Sequence, residues 1–145
     1  MHAPHTLQPE KAVLHIANTR GDIEQAEGAL LGALERFGYP DAARFAVRLA
    51  LEEALVNAFR HGHKNLPAES TVRFEFAVAA TSVTMEIEDR GPGFDPGLVK
   101  DPTLDENLEI PTGRGLLLMR AYMSSVEYLG KGNRVRMVFQ PKPKA

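Results

Sequence analysis

Six consecutive residues have types that suit a planar ligand: Asp89, Arg90, Gly91, Pro92, Gly93 and Phe94. They follow the run Ser82 to Glu88, in which Val83, Met85 and Ile87 alternate with polar residues, the period of a half-buried strand. A carboxylate at the end of a strand can accept a hydrogen bond from an amine. Gly91 and Gly93 lack a Cβ, so they permit positive φ and close approach of a ligand to the backbone. The same residue types also make ordinary turns. This stretch alone leaves both readings open.

A second candidate lies upstream. Phe45, Leu49, Ala50, Glu53, Val56, Asn57 and Arg60 recur at helical spacing, with Glu53 and Asn57 one turn apart. Polar groups are costly on a face that is otherwise apolar unless they are paired or face a cavity. Either the two residues border the apolar stripe, or a functional cavity lies under the helix. The third candidate is Gly113-Arg114-Gly115, followed by Leu116 and a helical run. Glycines at a helix start offer free N–H groups and the positive dipole end to an anion, and Arg114 adds a cation. The chain has no GxxxxGK[ST] motif, so this is not a P-loop. Between the first and third candidates runs Gly91 to Thr112, with four prolines and several acids, which reads as a lid.

The elements that must position these residues read as follows. Residues 1–10 are a loose lead-in, 11–140 a single domain and 141–145 a tail. Ala12 to Ala17 is a short strand, with His15 and Val13 on one face and Leu14 and Ile16 on the other. Asp22 is the expected N-cap of a helix from Ile23 to Phe37, ended by Gly38 at C′. Asp41 is the expected cap of a second helix, from Ala42 to Arg60 or His61, stopped by Gly62. Thr71 to Ala79 and Ser82 to Glu88 form a hairpin around Ala80-Thr81. Leu116 to Met123 is a helix. Ser125 to Leu129 and Arg134 to Phe139 are closing strands joined by Gly130-Lys131-Gly132-Asn133, and Lys131 there belongs to a hairpin turn rather than a phosphate site. The pair His61 and His63 lacks further ligands at metal-site spacing.

Composition narrows the function classes. A net charge of −2 and a pI near 6.2 speak against a nucleic-acid footprint. The absence of Cys excludes disulfides, thiolate zinc sites and Cys nucleophiles. No apolar run reaches the ~20 residues needed to span a bilayer. The start of the chain does not read as a signal peptide, so a cytoplasmic location is expected.

In order, E-x-x-x-N on a helix, D-x-G-x-G after a strand, a long loop and G-x-G before a helix resemble the Bergerat-type ATP-binding fold of histidine-kinase, gyrase-type, Hsp90 and MutL ATPases. Within it the chain resembles the anti-sigma-factor serine kinases of sporulation and stress-response switches. L-E-E-A-L-V-N-A-F-R-H-G looks like that family's first box, D-R-G-P-G-F its second and T-G-R-G-L-L-L-M its third. The resemblance covers Ala12 to Phe139. It implies an α+β fold, a two-layer sandwich whose mixed, mostly antiparallel sheet is covered on one face by helices and carries a lid loop.

The resemblance also implies roles. Asp89 would accept from the adenine amine, with Gly91, Gly93 and Phe94 in the adenine pocket. Asn57 would bind Mg²⁺ through its side-chain oxygen, and Ala58 and His61 of the same box would contact the nucleotide. Glu53 would be the general base. Gly113, Arg114, Gly115 and Leu116 would hold the phosphates of ATP. Many relatives have Gly-Thr where this chain has Gly132-Asn133, and Asn133 can hydrogen-bond in place of that Thr. No phosphoacceptor helix with a histidine box and no transducer domain is expected.

Three functions follow. The first is a serine protein kinase that phosphorylates an antagonist protein and, in its other state, holds a sigma factor. The second is an ATP-binding module that sequesters a partner without transferring phosphate. The third is a stand-alone histidine-kinase-type catalytic domain. Glu53, the candidate base, favours the first. Homodimers are common in the family, and neither nucleic acid nor membrane is an expected partner.

Overall fold

The computed structural model describes residues 8–63, 65–91, 122–130 and 132–141, and of His61 the backbone alone. Five strands and two helices make up the described fold: β1 Glu10–Ile16, α1 Arg20–Arg36, α2 Asp41–Asn57, β2 Val72–Val78, β3 Val83–Glu88, β4 Ser125–Leu129 and β5 Arg134–Phe139. A wide helical turn, Ala58–Gly62, continues α2. The sheet order is β1-β2-β3-β5-β4, and every described pairing is antiparallel.

Alternation along each strand builds one apolar face. Two rows cross the sheet, Leu14-Phe74-Ile87-Val135-Tyr128 and Ala12-Phe76-Met85-Met137-Val126. They pack with Ala26, Leu30, Ala33 and Leu34 of α1 and Val47, Leu51, Ala54 and Leu55 of α2 in one core. Phe74, Met85, Met137, Leu30, Leu51 and Val47 are sealed from water. Removing that much apolar surface from water is the dominant favourable term in folding. The opposite face is polar: Glu75, Glu86, Arg136 and Glu127 form one row, beside Arg73, Glu88 and Arg134 in the next. A slip of one residue would turn these charges into the core, so the register is strongly specified. Val13 and His15 face outward on β1, as their alternation predicts.

Three sequence expectations shift in detail. The first helix starts at Arg20 with Thr19 as its N-cap, whose hydroxyl accepts from Asp22 N–H at 3.2 Å. Asp22 instead turns its carboxylate back to Ala17 N–H at 2.8 Å. Both side chains thus satisfy donors at the helix entry. Asp41 is the first helical residue rather than the cap. Pro40 stands at the N-cap without a side-chain bond, and its carbonyl accepts from Arg44 N–H.

The largest correction concerns α2. Its buried residues are Ala43, Ala46, Val47, Ala50, Leu51, Ala54 and Leu55. Phe45 and Val56 are exposed, at 58% and 43%. The expected stripe therefore splits: Ala50 joins the core, Glu53 and Asn57 are half-buried at its edge, and Phe45 and Val56 face out. Because α2 is rich in small and apolar residues all round, several stripes satisfy the helical period, and only packing selects one.

Candidate functional site

The described part of the site forms where the end of α2 meets the end of β3. Glu53 and Asn57 are half-buried on the last two turns of α2, and Ala58 is buried at the start of the wide turn. The Nδ2 of Asn57 is buried without a hydrogen-bond partner. An unpaired buried amide is costly in a folded chain, and such groups cluster where a ligand or ion completes them. An Asn side chain supplies an oxygen donor of the kind Mg²⁺ takes, with water and phosphate completing its shell. The Oδ1 of Asn57 therefore fits such an ion, while its unpaired Nδ2, a donor, fits an acceptor such as a phosphate oxygen.

After Asn57 the backbone widens. His63 N–H reaches Ala58 C=O, a five-residue step, at 2.9 Å. Insertions of this π type cost regular helical bonding and are frequent at functional sites. Here the widening delivers two residues, Gly62 and His63, to the end of β3. A Cβ on Gly62 would stand 2.3 Å from the carboxyl carbon of Asp89. A Cβ on Gly91 would stand 2.0 Å from the Gly62 carbonyl oxygen. The two glycines let the two backbones touch, which brings Asp89 against the end of α2. Gly91 is not in the left-handed region, so close packing rather than positive φ accounts for it.

Asp89 itself is held on all sides. Its main-chain N–H donates to Asn133 C=O, and its C=O accepts from Asn133 Nδ2, each at 2.9 Å. Asn133 thus grips the backbone of Asp89 on both sides of its Cα. Asp89 Oδ1 accepts from Gly91 N–H at 2.8 Å, and Arg90 N–H donates to His63 Nε2 at 2.9 Å. His63 is buried, with the Phe59 ring edge-on at 5.8 Å. It serves as an acceptor for the main chain, and no group of three or more metal-ligating side chains exists among the described residues. The turn Gly130 to Asn133 carries positive φ at Gly130 and Gly132.

The structure thus places Glu53, Asn57 and Ala58 at the end of α2 and the start of its wide turn, and Asp89 and Gly91 at the end of β3 against Gly62 of that turn. Gly93, Phe94, Gly113, Arg114, Gly115 and Leu116 lie outside the described residues, as does the lid reading. Gly62 and His63 are the residues sequence reasoning missed as site components. The signal was a glycine beside the HxH pair. It reads as a helix stop, and nothing local reveals that a carboxylate 27 positions on will sit against it.

No helix among the described residues is long and apolar enough to cross a membrane. A search of curated proteins returns no match. Among solved structures, the chain is similar to the crystal structure of the RsbU and RsbW domains of Rv1364c from Mycobacterium tuberculosis, at 14% identity and a TM-score of 0.59. The match covers 90% of this chain and 31% of that longer one, and it shows a shared fold. The family model described as the histidine kinase-like ATPase domain matches residues 16–139, a span from the last residue of β1 to the last of β5 that takes in every element of this corner. By that match, the chain belongs to the histidine kinase-like ATPase domain family.

Proposed function

We propose that this chain is an ATP-dependent serine protein kinase of a partner switch, which phosphorylates an antagonist protein and in its alternate state holds a sigma factor. The observation that carries the reading is the meeting of α2 with Asp89. A candidate base and a candidate cation ligand stand one turn apart on α2, and the turn that ends α2 touches the candidate adenine acceptor. Family membership supports ATP as the nucleotide. The three sequence boxes support serine as the acceptor.

In this reading Asp89 accepts from the adenine 6-amine, which guanine lacks. Gly93 and Phe94 line the same pocket, and Gly113 to Leu116 hold the phosphates. Asn57 holds Mg²⁺, which when bound offsets phosphate charge. Glu53 takes the proton of the serine hydroxyl as its oxygen bonds to the terminal phosphorus and the bond to the ADP oxygen breaks. Closure of the 91–112 loop follows ATP and favours one protein partner over the other through differential affinity. The chain works in the cytoplasm, as a homodimer.

Two measurements test this. Labelled ATP incubated with candidate antagonist proteins should give acid-stable phosphoserine. Acid-labile phosphate would move the reaction to histidine, and absence of transfer would leave a sequestering module. Asp89→Asn should weaken ATP binding by about 10- to 150-fold, the cost of a charge-assisted hydrogen bond. It should also narrow the preference for ATP over GTP. ATP affinity within about twofold of wild type would return Asp89 to a turn residue, for which Asn serves nearly as well.

A further inference from the structure

The amide between Asp89 and Gly91 has its own buried acceptor, His63, outside the proposed nucleotide contacts. We infer that His63 is a positioning residue for Asp89, holding the 89–91 turn in the shape that receives adenine, and that nucleotide affinity therefore depends on an acceptor at position 63. This rests on the adenine reading of Asp89. The argument starts from the carboxylate. Its Oδ1 is tied to Gly91 N–H, so the direction of the side chain follows the backbone of the turn. Asn133 fixes that backbone at Asp89, and His63 fixes it at Arg90. The ring of His63 is placed by the wide turn, through His63 N–H to Ala58 C=O and the edge of Phe59.

A neutral imidazole has one acceptor nitrogen, and a protonated one has none. With Nε2 accepting, the ring proton sits on Nδ1. A side chain without an acceptor at position 63 leaves the Arg90 N–H without this partner. The Arg90 guanidinium reaches Thr71 Oγ1 at 3.4 Å. Asn133 holds the other half of the grip.

The test uses the whole chain, titrated calorimetrically with ATP and with GTP. In parallel, the Arg90 amide resonance of the ¹⁵N-labelled protein is followed without nucleotide. His63→Leu removes the acceptor, so the Arg90 amide should shift and ATP affinity should drop about tenfold or more, the cost of orphaning a donor. His63→Gln retains an acceptor, so it should rescue binding to within about threefold of wild type. An Arg90 amide unchanged in His63→Leu, or an ATP affinity about tenfold down in His63→Gln, would overturn the positioning role. The second of these readouts stands even if His63→Leu fails to fold. Wild type binding ATP and GTP alike would instead sink the adenine assignment, and this inference with it. ATP preference with full affinity in His63→Leu would sink the inference alone.

Discussion

The two helices are the same length, 17 residues, and are built by different rules. α1 obeys local chemistry at both ends. Thr19 caps its start, and its finish is a Schellman motif. Gly38, at φ 76°, donates to Glu35 C=O, and Tyr39 N–H reaches Leu34 C=O. The C-terminal Arg36 forks onto both oxygens of Glu10 on β1. α2 has no side-chain cap at its start, and at its end it opens into a wide turn rather than a glycine cap. It also leaves an unpaired amide at Asn57. Local rules and global fold agree along α1 and conflict at the end of α2. Departures of that kind concentrate at functional sites. Here the departure has a visible result: it presses Gly62 against Asp89 and hands His63 to Arg90.

The contrast can be broken most severely on α2. Glu53→Gln keeps the shape but removes the proton acceptor, so phosphotransfer should fall by roughly 10²–10⁴-fold with little change in ATP affinity. A single-turnover assay beside a binding titration reads both, and full activity would remove Glu53 as the base. Next is the glycine contact. Gly62→Ala forces a methyl into the Asp89 carboxylate, so stability should drop by about 1–3 kcal/mol and ATP binding should fall with it. Denaturant melts with and without ATP check this, and a neutral result would mean the turn yields freely.

The matching change on α1 has the opposite sign. Gly28 is mid-helix and exposed, and a Cβ there meets nothing within 4 Å. Gly28→Ala should therefore stabilise by about 0.5–1 kcal/mol and leave nucleotide binding alone. Loss of stability in a melt would contradict the open space. The smallest effect lies where the helices meet. Burial, a hydrogen bond to Glu52 and that neighbour's charge push the Glu27 carboxyl above its ordinary range. A raised folded value means the native state holds the proton longer than the unfolded chain. Stability then falls as pH rises from the ordinary carboxylate value through the raised one. Glu27→Gln should thus melt slightly higher than wild type at neutral pH, with the gain vanishing in acid. A pH series of thermal melts giving the reverse trend would show that the pair is not repulsive.

Much of this was readable from the chain. All five strands were readable, β3 from its period-two alternation and β1 with its two faces told apart. Gly38 gave the end of α1, because positive φ is a local demand that glycine meets. The boxes around Glu53, Asn57 and Asp89 led to the family, since their order and spacing are properties of the sequence. The buried face of α2 was not readable. Phe45, Leu49 and Val56 repeat at helical spacing as well as Val47, Leu51 and Ala54 do, and only the sheet decides which set it covers. Nor could any local pattern pair Gly62 with Asp89, or Asn133 with the same residue's backbone. Those contacts join segments 27 and 44 positions apart. They exist because the antiparallel order β3-β5 sets the turn before β5 beside the end of β3, and α2 ends over the same corner. Sequence chose the residues that could do chemistry, and tertiary packing alone decided which glycine, which imidazole and which amide hold them in place.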